Sequence, residues 1–69
     1  MALTDREKLL VRCLEQHQIN LETVKIIIMM LLDNPAGQNL LIQYLTNTRE
    51  LTENELLLKT EQIADKTKG

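Results

Sequence analysis

Ile26-Ile27-Ile28-Met29-Met30-Leu31-Leu32 is an unbroken run of seven apolar residues near the middle of a 69-residue chain. Its three isoleucines would suit a short buried strand as well as a buried helix. The residues just before it decide between the two. Asn20 is a good helix N-cap, and with Ile19 at N′ and Val24 at N4 it completes the pattern of a hydrophobic staple. The run is therefore read as part of a helix over 20–33. At about 100° per residue its side chains point to every side and leave no face for water. It is far short of the ~20 residues that cross a bilayer, and Glu22, Lys25 and Asp33 bound it with charge. The reading is an apolar central helix covered by its neighbours, with Leu21, Val24, Ile28, Leu31 and Leu32 as its strongest stripe. Ile28 and Leu31 are expected at the centre of the core. Met29 shares a sector with Lys25 and Asp33, so it is the residue of the run expected at the surface.

Three further helices are expected around it. Thr4 and Glu7 have the spacing of a capping box, in which the hydroxyl accepts from the N3 amide and the carboxylate reaches back to the cap. They open a first helix over 4–18 with Leu10, Cys13, Leu14 and His17 inward. Pro35 suits the first position of a helix and cannot continue the one before it, so Asn34-Pro35 opens a third over 35–48. Leu40, Leu41, Tyr44 and Leu45 form its inner face. Thr52 and Glu55 repeat the capping box and open a fourth over 52–66, whose stripe is Leu56, Leu57, Thr60, Ile63 and Ala64. The tail, 65–69, is expected to fray. Fold class follows: an all-α, compact bundle of four short helices, a single small domain over 1–69. The alternative runs the last two helices together through Thr48-Arg49-Glu50.

Composition narrows the function. A chain this short buries only about 60% of the surface it exposes unfolded, so its core is thin unless something is added. Here 43% of residues are hydrophobic, yet there is no Trp or Phe and one Tyr. Self-association, as a homodimer, would supply the missing area. One cysteine excludes an internal disulfide. A net charge of −2 with both signs interspersed exerts no long-range pull on nucleic acid or an anionic membrane. Met1-Ala2-Leu3-Thr4-Asp5 is not the start of a secretory signal, and cytoplasmic location is the expectation.

Residues able to carry chemistry are few. Cys13 and His17 lie one helical turn apart but lack the further ligands a metal site requires and the orienting group and cleft that a nucleophile–base pair requires. The only glycines are Gly37 and Gly69, so no phosphate-cradling loop is present. No helix sets a wide apolar face beside a Lys/Arg-rich one, the pattern of a membrane-surface helix. Neither an enzyme, nor a cofactor, nor a small-molecule substrate, nor a membrane is expected.

Leu3-Thr4-x-Arg6-Glu7 resembles the opening of the helix-turn-helix domains of quorum-response regulators, and Thr23-Val24-Lys25 resembles the start of their recognition helix. The resemblance implies a DNA-reading helix beginning at Thr23. The two pieces stand closer together than in that family by about one helix. Ile26-Ile27-Ile28 also follow where that helix presents polar and basic side chains. A different helix could read DNA: the third places Asn39, Gln43, Thr46 and Asn47 on one side, and Asn and Gln pair well with adenine. Phosphate contacts need nearby Lys or Arg, and Lys25 and Arg49 are scattered.

The function expected is therefore a non-catalytic protein–protein interaction or regulatory module that self-associates. The alternative is a small helix-turn-helix-like DNA-binding regulator reading through its third helix. Met29, Met30 and Leu58 are the candidate contact residues, because a four-helix monomer has no obvious place to bury them. Leu58, between Glu61 and Gln62, is the preferred anchor, an apolar residue within a polar rim.

Overall fold

Caps set the four helices, and all of them form. The computed structural model describes residues 3–67 and contains α1 (Asp5–Gln16), α2 (Leu21–Met30), α3 (Pro35–Asn47) and α4 (Glu53–Thr67), with no strand among the described residues. The Glu7 amide donates to the Thr4 hydroxyl at 3.2 Å, and the Thr4 amide to the Glu7 carboxylate at 2.8 Å. Thr52 and Glu55 make the same reciprocal pair at 3.1 and 3.2 Å. Asn20 accepts from the Glu22 amide, and Asn34 from the Gly37 amide with Pro35 at the first helical position. Residues 48–52 leave the helical conformation, so α3 and α4 are separate.

The helix ends differ from the expected bounds where the backbone turns left-handed. Gln18 has a φ of 59°, and the Gln18 and Ile19 amides donate back to the carbonyls of Glu15 and Leu14. That is a Schellman ending, and it stops α1 at Gln16 instead of residue 18. Asp33, with a φ of 58°, does the same service after α2. There the Asn34 amide closes a turn onto the Leu31 carbonyl, so α2 ends at Met30 rather than 33. At the other extreme α4 runs on through Thr67, where fraying was expected, because Asn34 Nδ2 donates to the Thr67 hydroxyl at 2.7 Å. Residues 68–69 of that tail lie outside the described residues, as do Met1 and Ala2.

The helices form a ring in which α1 touches α2 and α3, and α4 touches α2 and α3. Although consecutive, α2 and α3 lie across a diagonal and do not pack side by side. Hydrogen bonds give the directions. Arg6 Nε, early in α1, donates to Asn39 Oδ1, early in α3, and His17, just past α1, donates from Nε2 to the Leu45 carbonyl, late in α3. These two helices are parallel. Thr23 bonds Glu53 at the start of α4 and Asn34 bonds Thr67 at its end, so α2 and α4 are parallel as well. The molecule is thus two helical hairpins laid one on the other.

Leu10, Leu14, Val24, Ile27, Leu31, Leu41, Leu45, Leu56 and Ile63 make one core fed by all four helices. A radius of gyration of 10.8 Å agrees with the ~11 Å of a compact chain this long. Leu31 is fully buried, as expected, but the other central position belongs to Ile27, with Ile28 only partly buried at its side. The expectation that α2 is covered on every side is corrected. Its neighbours α1 and α4 both lie on one half of its circumference, and the other half faces solvent.

Four polar side chains complete the interior. Glu7 is buried as it caps α1, and the Thr60 hydroxyl donates to the Leu56 carbonyl within its own helix. Gln38 Nε2 donates to the Leu31 carbonyl at 2.8 Å, satisfying an acceptor stranded by the end of α2. Thr23 donates to Glu53 Oε1 at 2.7 Å while the Asn20 amide donates to Glu53 Oε2 at 3.1 Å. One carboxylate thereby serves the adjacent amino ends of both α2 and α4, where helix dipoles favour negative charge.

Candidate interaction face

The open half of α2 is built by its own arithmetic. A helix at 3.6 residues per turn that sends Thr23, Val24, Ile27 and Leu31 inward must send Leu21, Glu22, Lys25, Ile26 and Met29 outward. Leu32, in the turn that follows, is also exposed and lines the crevice between the ends of α2 and α4. Three large apolar side chains, Leu21, Ile26 and Met29, therefore stand in water on the outer face of a ten-residue helix, with Met29 at 75% exposure and Leu21 at 65%. Isolated exposed apolar residues are ordinary, but a run of them on one helix face marks a contact surface.

Of the residues singled out from the sequence, Met29 is on this face. Met30 is not. It is partly buried and turns into a crevice between the ends of α2 and α4, beside Asn34, Ala64 and Thr67. Leu58 is 57% exposed but has only polar exposed neighbours on α4, namely Asn54, Glu55, Glu61, Gln62 and Asp65. It is a solitary apolar side chain, so the grouping favours Met29 over Leu58. The residues that sequence reasoning missed are Leu21, Ile26 and Leu32. The sequence pattern places Leu21 and Leu32 inward and leaves Ile26 unplaced, because a run that is apolar throughout gives no cue to its own orientation.

Asn39, Gln43, Thr46 and Asn47 are exposed together on the outside of α3, as the helical spacing requires. Asn39 already accepts from Arg6 at 2.9 Å, and the Thr46 hydroxyl donates to the Ile42 carbonyl. Gln43 and Asn47 reach the rim of an open groove of about 520 Å³ between α3 and α4, whose other wall carries Lys59 and Lys66. Lys59 Nζ lies 5.3 Å from the centre of the Tyr44 ring, a cation–π distance. Thr23 and Val24, which the helix-turn-helix resemblance would place against a base edge, are buried in the core.

Cys13 is partly buried and unpaired in any disulfide, and His17 is engaged with the Leu45 carbonyl. Among the described residues no three His, Cys, Asp or Glu side chains gather as a metal site, and no helix is long and apolar enough to cross a membrane. Compared with models of protein families, with curated proteins and with solved structures, the chain matches none.

Proposed function

We propose that this protein is a non-catalytic interaction module that docks through the outer face of α2. The observation that carries the reading is the apolar group Leu21, Ile26 and Met29, exposed on the outer face of α2 beside Glu22 and Lys25. Solvating such a group is unfavourable by about 25 cal/mol for each Å² of apolar surface, and docking removes that term. Methionine among them suits the role, because its flexible thioether adapts to a contact surface. A photo-reactive side chain placed at position 29 in the living cell should give a discrete cross-linked product, and one placed at Glu15, on the outside of α1, should not. No product at position 29 would end this reading.

A second reading is direct DNA binding through α3. In its favour, the polar row Asn39, Gln43, Thr46 and Asn47 is flanked by Arg6 on one side and by Lys59 and Lys66 on the other. Three cations beside hydrogen-bonding side chains would provide the phosphate contacts that base reading requires. Duplex DNA binding that falls steeply with added salt, and that Lys59→Glu with Lys66→Glu removes, would favour this reading over the first.

A further inference from the structure

We propose that the groove between α3 and α4 is a second docking site, and that its occupant is an acidic amphipathic helix of a partner protein. It is separate from the outer face of α2, because α4 packs between α2 and α3 and no residue of α2 lines the groove. Its ground is a local excess of positive charge. In a chain of net charge −2, this groove of about 520 Å³ is lined by Lys59 and Lys66 and by no carboxylate. The acids of α4 are placed elsewhere. Glu55, one turn before Lys59, is held by the amide and hydroxyl of Thr52 at 3.2 and 3.1 Å. Asp65 lines the crevice at the end of α2, and Glu61 stands in water. Lys59 itself is half-buried, with its ammonium over the face of Tyr44, 5.3 Å from the ring centre. A ring face offers a cation only part of what a carboxylate would. The groove therefore sets unmatched positive charge beside an apolar surface.

The spacing of those charges describes the partner. Lys59 and Lys66 lie two turns apart on one side of α4, about 10 Å along its axis. The floor is apolar, made by Leu40, Tyr44 and Ile63. Its complement is a helix with two carboxylates seven residues apart and apolar side chains one turn in from each. A helix also suits the walls, since its ridges can lie in the groove that two other helices form. An extended segment would need a free sheet edge to pair with, and the described residues contain no strand. Duplex DNA competes for the same lysines. It has no apolar side chain to cover the floor, and the net charge of the chain opposes its approach.

Titrating the isotope-labelled full chain with a synthetic helix, followed by NMR, tests it. The probe is an end-capped peptide of about 15 residues, alanine and glutamine except for two glutamates seven positions apart with two leucines between them. Amide signals of Gln43, Tyr44, Asn47, Lys59 and Gln62 should shift, with a dissociation constant on the order of 100 μM, as for a small contact. Replacing both glutamates of the peptide by glutamine should weaken binding about tenfold, and so should Lys59→Gln with Lys66→Gln in the protein. The two losses should not add, because either change removes the same charge pairs. Lys8→Gln with Arg12→Gln takes two cations from the exposed side of α1 and should alter affinity less than about twofold at physiological salt. Fully additive losses, or an equal loss from the α1 pair, would mean diffuse attraction and overturn the proposal. No shift up to roughly a millimolar peptide overturns it too. Shifts confined to α2 would do the same while leaving the α2 reading intact. If random duplex DNA moves those five signals and the peptide does not, the groove belongs to nucleic acid and the proposal fails.

Discussion

α1 and α2 are adjacent helices of twelve and ten residues that spend their outward sides differently. α1 turns Asp5, Arg6, Lys8, Arg12, Glu15 and Gln16 to water and sends Leu10 and Leu14 into the core. Leu9 is the one large apolar side chain it exposes, so its pattern is close to that of a solvated surface helix. α2 feeds the core equally well through Val24, Ile27 and Leu31, yet its outward side carries Leu21, Ile26 and Met29. Nothing in the bundle requires apolar side chains there. The comparison separates what folding demands of a helix from what it leaves free, and the surplus on α2 is the part that points to function.

The sharpest way to break this comparison is from inside. Ile27→Ala, at a fully buried site, should cost on the order of 2–5 kcal/mol, enough to unfold much of a chain this small. Ile28→Ala, one residue and about 100° around the helix, should cost clearly less. Thermal melts that rank Ile28 above Ile27 would show that α2 is rotated from the orientation described.

The joint beyond α2 should come next. A β-carbon on Gly37 would sit 2.6 Å from Asn34 Nδ2, 2.9 Å from its Cγ and 3.2 Å from Leu31 Cδ2. Gly37→Ala must therefore displace the side chain that caps α3 and holds Thr67. The expected loss is about 1–2 kcal/mol despite the better helix propensity of alanine. Denaturant unfolding that finds Gly37→Ala more stable than wild type would contradict the geometry of that cap.

Glu53→Ala removes the shared acceptor at the amino ends of α2 and α4 and leaves the buried Thr23 hydroxyl without its partner. A cost of about 1–2 kcal/mol is expected. Pairing it with Thr23→Val should recover part of the loss, and a strictly additive double variant would mean the two residues do not interact. Gln18→Gly acts in the opposite direction. Glycine adopts the left-handed conformation of that position without strain, so a gain of up to about 1 kcal/mol is expected.

The smallest effect on stability belongs to the outer face. Met29→Glu should change the unfolding free energy of the isolated monomer by no more than about 0.5 kcal/mol while abolishing whatever docks on α2. If Met29→Glu instead melts the bundle, the surface described as free is part of the fold, and the contrast between α1 and α2 disappears.

Much of this architecture is legible in the chain because caps are local. Thr4 with Glu7, Asn20, Asn34 with Pro35, and Thr52 with Glu55 all lie within a few residues of the backbone groups they satisfy, so spacing alone finds them. Leu10, Leu14, Leu41, Leu45 and Leu56 are found as well, because polar residues on the opposite side give their helices an orientation. α2 lacks that reference. With seven apolar residues in succession, a rotation by one position is invisible, and Ile28 is chosen where Ile27 belongs. His17 with Leu45, Thr23 with Glu53 and Gln38 with Leu31 are equally hidden. The first two join segments that no local spacing relates and depend on α1 and α3, or α2 and α4, running parallel, and the third spans the α2–α3 turn, whose path the sequence does not reveal. Of the contact face, Met29 is visible through its place between Lys25 and Asp33, whereas Leu21 and Ile26 emerge only once the inner face is known.

The bond from Asn34 to Thr67, together with that from Arg6 to Asn39, has a consequence for how the chain is threaded. The last turn of α4 and the first turn of α1 both lie against the start of α3, so the path through the four helices comes back almost to where it began. A polypeptide wound in that manner has no privileged origin. A short flexible tether from the end of α4 to the start of α1 could close it into a loop, and the segment around Arg49 and Glu50, exposed and outside any helix, could be opened to give new ends. The permuted chain, reading α4, α1, α2, α3, should reach the same core, because cutting and rejoining at exposed backbone leaves the buried packing untouched.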